Sequence, residues 1–124
     1  MRHHRRARAL GRKRNARRAL LKSLARSLIL TGAITTTEAR AKELRPFVEK
    51  LTTRARGASL SAGQAGLGAR RILVARLGSS DAARVLVEKI APKFEKVSGG
   101  YLRITKLGVR RSDGSRKALI SFTH

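Results

Sequence analysis

The chain has 124 residues, room for one domain and too few for two comfortable ones. Thirty Lys and Arg against seven Asp and Glu leave a formal net charge of +23, a balance that points to work against a polyanion. The absence of cysteine excludes disulfides, thiolate metal sites and a cysteine nucleophile, and aromatics at 3% argue against a surface that stacks bases on exposed rings. Hydrophobic residues at 41%, many of them alanine, still allow a small core. No apolar run approaches the ~20 residues that cross a bilayer.

Residues 1–15 read as a basic N-terminal arm. Arg2, Arg5, Arg6, Arg8, Arg12, Lys13 and Arg14 lie there with Leu10 as the one large apolar residue after Met1, so the segment has nothing to bury. The first carboxylate of the chain is Glu38. Residues 16–124 read as a single α+β domain. From Ala16 the pattern turns helical: Leu20, Leu24 and Leu28 recur at a spacing of four, Arg18, Lys22 and Arg26 form a second stripe, Asn15 is a candidate N-cap and Gly32 a C-terminal stop. Ile34 to Thr37 is a short strand candidate, centred near 34–36.

A second helix carries Ala41, Leu44, Val48, Leu51 and Ala55 at core-facing spacing, started by either a Thr35–Glu38 capping box or Thr37. Pro46 lies off that stripe and is expected to kink or split the helix. Residues 57–68 hold four glycines and read as a flexible connection. Ala69 to Leu77, ended by Gly78, is a short helix. Another, capped by Ser79 or Ser80, runs from Asp81 to about Ala91, before Pro92, and buries Leu86, Ile90 and Phe94. After the Gly99-Gly100 turn, Tyr101–Leu107 and Lys117–Thr123 alternate as an antiparallel hairpin around the basic loop Arg110, Arg111, Asp113, Gly114 and Arg116. The expectation is four helices packed on a small sheet, with an extended basic arm.

Catalysis has little to stand on. His3, His4 and His124 sit at the chain ends, and no nucleophile, base and acid can be grouped from the pattern. The seven acids are expected as ion-pair partners, and the glycine run lacks the Gly-Lys-Ser/Thr ending of a phosphate loop. Met1-Arg2-His3 with a free amino group has the donors for copper or nickel, but an imidazole against phosphate or solvent is the commoner reading. The expectation is no enzyme, no cofactor, no metal and no small-molecule substrate. The arm, the bare stripe Arg18, Lys22 and Arg26, and the hairpin loop suggest several simultaneous phosphate contacts, which suits a folded RNA better than a straight duplex. A histone-like architectural DNA binder is the alternative, and a membrane-surface helix ranks third.

Three stretches carry a resemblance: Met1-Arg2-His3, Ile34-Thr35-Thr36-Thr37 with Arg40-Ala41-Lys42-Glu43-Leu44, and Gly99-Gly100-Tyr101-Leu102-Arg103-Ile104 leading to Lys106-Leu107-Gly108 and Arg110-Arg111. They run in the order of the bacterial large ribosomal subunit protein L-seventeen family, which the chain resembles from Met1 to about Ile120. The resemblance implies a cytoplasmic ribosomal component that binds large-subunit RNA near the peptide exit side, beside other ribosomal proteins, without membrane contact or self-association. It implies that Arg2, His3, Arg5, Arg6, Arg12 and Arg17 thread into RNA. Thr36, Thr37, Arg40 and Lys42 would meet RNA at the start of the second helix, and Tyr101, Arg103, Lys106, Arg110 and Arg111 would line a further contact. The arginine-rich start also fits an organelle transit peptide; a family start at Met1 implies that none is present.

Overall fold

A computed structural model describes residues 7–60 and 63–124. The elements follow in the order α1 (Arg14–Thr31), β1 (Ala33–Thr37), α2 (Glu38–Leu60), α3 (Gln64–Leu77), α4 (Ser80–Val85), β2 (Leu102–Val109) and β3 (Arg116–Phe122). The three strands form one antiparallel sheet in the order β1-β3-β2. This is the expected α+β architecture, four helices and a small sheet.

Helix α2 organises the body because its stripe of Ala41, Leu44, Val48, Leu51, Ala55 and Ala58 is buried along the whole length. It packs against all three strands and against α1 and α3. Leu28 and Ile29 of α1, Leu73 and Leu77 of α3, and Ala118 and Ile120 of β3 complete the core with it. Each fully buried Leu or Ile contributes roughly 1.5–3 kcal/mol of transfer free energy. Phe94 and Tyr101 close one end, their rings meeting edge-on at a centroid distance of 5.1 Å. The Tyr101 hydroxyl finds Thr53 Oγ1 at 3.1 Å, so the buried ring leaves no unpaired polar atom.

Several local expectations change. Helix α1 begins at Arg14, with Lys13 at the N-cap position and no side-chain cap. Asn15 therefore lies inside the first turn, where it cannot cap. Of the two starts for α2, Thr37 prevails: its Oγ1 accepts from the Arg40 amide at 3.4 Å, while Thr35 lies within β1. Pro46 does not split α2, which runs through it as one helix, with the proline on the exposed side. The expected connection at residues 57–68 is largely helical as well, since α2 continues to Leu60 and α3 starts at Gln64. Ala58 and Gly66 are buried there, where α2 and α3 pack together, and that packing offsets the roughly 1 kcal/mol by which glycine disfavours a helix.

The fourth helix reaches further than its pattern predicts. After α4, with Ala82 N bonded to the Ser79 cap, a π turn (Leu86–Ile90) and a 3-10 turn (Ala91–Phe94) follow directly. Pro92 has no amide hydrogen to give a carbonyl four residues back. The ladder widens before it, with the Ala91 amide bonded to the Leu86 carbonyl, and tightens after it. The chain thus carries Phe94 into the core without breaking.

Candidate nucleic-acid interface

The acids are engaged internally. Among the described residues, Glu43 pairs with Arg8 at 2.8 Å, Glu49 with Arg45, Asp81 with Arg84 and Glu88 with Arg70. Glu38 holds Lys42 at 2.7 Å and Lys106 at 3.9 Å, and Asp113 holds Arg110. Six of the seven carboxylates are thus paired within the chain, as expected of them, and Arg12, Lys13, Arg14, Arg18, Arg103 and Arg111 are exposed cations with no ion pair among the described residues. Among the described residues no group of His, Asp and Glu is placed to hold a metal ion, and no helix is long and apolar enough to cross a membrane.

The arm and α1 form the first basic region. Arg2, His3, Arg5 and Arg6 lie outside the described residues. Arg8 is tied to α2 through Glu43, and a turn at Leu10 and Gly11, both with positive φ, leads into α1. Arg12 and Lys13 before α1 are exposed, and the first two turns of α1 bury nothing fully, with Arg14 and Arg18 exposed and Arg17 half-buried. Core contact begins only at Leu21 and Leu24 and is complete at Ala25, Leu28 and Ile29. The stripe expected to be bare is only partly so. Lys22 donates to the Ala75 carbonyl at 3.4 Å, and Arg26 lies beside Gly78, so both lean on the last turn of α3, the negative end of its dipole.

The start of α2 is the second region. Arg8, Thr37, Glu38, Ala39, Lys42, Ser115 and Arg116 line an open concavity there. The Glu38 carboxyl is held below the usual carboxylate range by its hydrogen bond from Lys42, then by the charges of Lys42, Lys106 and Arg116. Lys42 and Lys106 therefore already share one anion, while Arg40 is half-buried on the first turn.

The sheet and hairpin form the third region. β1 and β2 both pair with β3, so residues opposite one another fall on a common face. Ile34, Ile104 and Ile120 line up on the helix-covered side. The open side carries Thr35, Leu119 and Thr105 in one row, Ala33, Ser121 and Arg103 in the next, and Thr37 with Lys117 in a third. No acid stands on it. Between β2 and β3 the loop closes by the Arg110–Ser115 backbone bond of 2.8 Å and a positive φ at Gly114. Arg110 Nε grips Asp113 Oδ1 at 3.0 Å, and the amide and hydroxyl of Ser115 donate to the same carboxylate. Arg110 first, then Ser115, hold the Asp113 carboxyl far below its ordinary value, and Asp113 in turn raises that of Arg110. Arg111 and Arg116 keep exposed side chains.

Two expected contact residues change place. Tyr101 is 1% exposed and belongs to the core, so its ring is withdrawn from any interface. Its position after Gly100, at the mouth of β2, turns the side chain under the sheet against Phe94. Thr36 falls on the helix-facing side, opposite Ala118, so Thr35 and Thr37 are the β1 threonines on the open face. Thr35, Thr105 and Lys117, which the sequence pattern did not single out as contact residues, stand on the open face. Strand alternation is the signal that finds them, because Ile34, Ile104 and Ile120 face the core and their neighbours must face away.

The structure thus defines a small basic α+β body with six of its seven carboxylates paired within the chain and three cationic regions on its surface. The family model for ribosomal protein L17 matches residues 20–123. The large ribosomal subunit protein bL17 of Methylacidiphilum infernorum is 46% identical over 123 residues, covering 99% of this chain and 88% of that protein. The bL17 of Gemmatimonas aurantiaca is 48% identical over 120 residues, 97% of this chain and 96% of that protein. That of Campylobacter jejuni is 44% identical over 122 residues, with 98% of each chain covered. The chain belongs to the ribosomal protein L17 family.

Proposed function

We propose that this protein is a structural, non-catalytic constituent of the bacterial large ribosomal subunit and supports translation by binding folded large-subunit RNA near the peptide exit side. Its place is the cytoplasmic ribosome, beside other large-subunit proteins, as a single copy. The observation that carries the reading is the distribution of charge in a member of this family. Six acids are paired internally, and Arg12 and Lys13 of the arm, Arg14 and Arg18 on the first turns of α1, Arg111 of the hairpin loop and Arg103 of the open sheet face stay exposed for phosphate.

The mechanism is charge neutralisation at several points. Arg12, Lys13, Arg14, Arg17 and Arg18 take phosphate oxygens along the arm and the first turns of α1, bidentately where arginine is used. Arg103, Lys117 and Arg111 do the same from the sheet and loop, while Thr35, Thr37 and Thr105 supply hydroxyls for phosphates and 2′-hydroxyls. Arg40, half-buried on the first turn of α2, completes the second contact.

Sedimentation of cell extract in moderate salt tests the assignment: the protein should travel with large subunits, and a free pool alone would overturn it. Deleting residues 2–14 removes seven Lys and Arg. The log–log salt slope of RNA binding should then flatten by roughly 4–6, at ~0.7–0.9 per phosphate contact. An unchanged slope would make the arm a bystander, and equal affinity for random duplex DNA would argue for an architectural DNA binder.

A further inference from the structure

We propose that the groove between α1, α2 and α3 is a pocket for one unstacked RNA nucleotide, its base on Leu21, Phe47 and Ala75 and its phosphates on Arg18, Lys22 and Arg76. The inference rests on the RNA-binding reading and deepens it, because a pocket of this kind reads a base, which phosphate contacts alone do not.

The groove has a volume of about 620 Å³ and is lined by those six residues, three from α1, one from α2 and two from α3. That lies within the range of small-ligand sites, roughly 300–1,000 Å³. Its floor is apolar and its rim is cationic. Among the described residues neither Arg18 nor Arg76 has a carboxylate partner, and Lys22 touches only the Ala75 carbonyl, at 3.4 Å. A flat, weakly polar ring attached to anionic phosphates complements this combination.

The aromatic residues sharpen the choice. The chain has three phenylalanines, one tyrosine and no tryptophan. Phe94 and Tyr101 are buried, and Phe122 leans on Phe94 with a centroid distance of 6.2 Å. Phe47, half-buried beside Pro46 and off the core stripe of α2, is the ring that lines a cationic groove. Scarce aromatics exclude a stacking platform for a run of bases, but a single stacked base needs one ring. An acidic amphipathic helix is the competing occupant. Such a helix seats several anchors at i, i+3, i+4 and i+7 along an extended groove, and three apolar side chains converging from three helices do not provide one.

The test uses the full chain and two labelled probes, an octa-adenylate RNA and an octamer of equal phosphate number without bases, with anisotropy read at fixed salt. The intact protein should bind octa-adenylate at least ~5-fold more tightly than the abasic probe, the low end of base–aromatic stacking. Phe47→Leu keeps apolar bulk but removes the flat ring, so it should bring the ratio close to one and leave abasic binding unchanged. Ala75→Gln, on an exposed helical position, narrows the floor without disturbing the core and should lower the ratio independently. Ring resonances of Phe47 should move upfield on adding octa-adenylate. Equal binding of the two probes, or a preference that survives both variants, would overturn the pocket while leaving the RNA reading intact. Failure of both probes to bind at low salt would instead sink the RNA reading. A peptide of alternating Glu and Leu that moves the Phe47 resonances where octa-adenylate does not would reassign the groove to a protein partner and overturn the proposal.

Discussion

Tyr101 and Asp113 show how a side chain that invites a functional reading can serve the fold. The Tyr101 hydroxyl bonds Thr53 and its ring meets Phe94 edge-on, so two substitutions separate these contributions. Tyr101→Phe should lower stability by about 1 kcal/mol, the net worth of one hydrogen bond, with RNA affinity unchanged. Phe94→Ala, which empties a fully buried site, should cost about 3–5 kcal/mol; urea denaturation reads both. Asp113 makes a pH prediction. Its carboxyl is depressed in the folded chain, chiefly by Arg110, so it stabilises the loop above the ordinary carboxylate range. That contribution is lost as pH falls beneath about 4 toward the folded value. Thermal unfolding of Asp113→Asn between pH 6 and 2 should therefore fall less steeply than that of the parent. The same substitution releases Arg110 toward phosphate, and the salt slope of RNA binding should steepen by roughly 0.7–0.9.

Among the elements, α2 was the most legible, because a buried stripe at helical spacing reports itself regardless of neighbours. The strands were legible to within a residue or two, but the bulge at Leu107, where Gly108 takes a positive φ, left no trace in the alternation. The ends of α2 and α3 were misread because glycine is a local breaker, and only packing between the two helices reverses that preference. Two of those glycines now make a prediction. Gly57 and Gly68 are helical, and a Cβ at either would meet nothing within 4 Å. Gly57→Ala and Gly68→Ala should each stabilise the free chain by about 0.4–1 kcal/mol, mainly by restricting the unfolded state. A drop in melting temperature would show that the helix ends need the looser residue. The π turn before Pro92 belongs to the same lesson: proline announces that a ladder bond is missing but not that the chain absorbs the loss and continues to Phe94.

At the scale of the whole molecule, +23 charges on one small domain oppose its own folding. Adding salt to the isolated protein should raise its melting temperature, since exposed like charges are screened over a Debye length of ≈ 8–10 Å at 0.10–0.15 M. The same salt should weaken RNA binding, and opposite responses of one chain to one variable would trace both to surface charge; a melting temperature that falls with salt would refute this. Charge sign, the α+β class, the core stripe of α2 and the family were properties of the sequence alone, because composition, periodicity and short motifs are local quantities. Which cations remain for a partner was decided by tertiary structure. Glu38 gathers Lys106 from β2, Arg8 reaches Glu43 across 35 positions, and Tyr101 turns inward while Phe47 comes to line a groove. These pairings join residues far apart in the chain, and only the packing of helices on a sheet brings them within bonding distance.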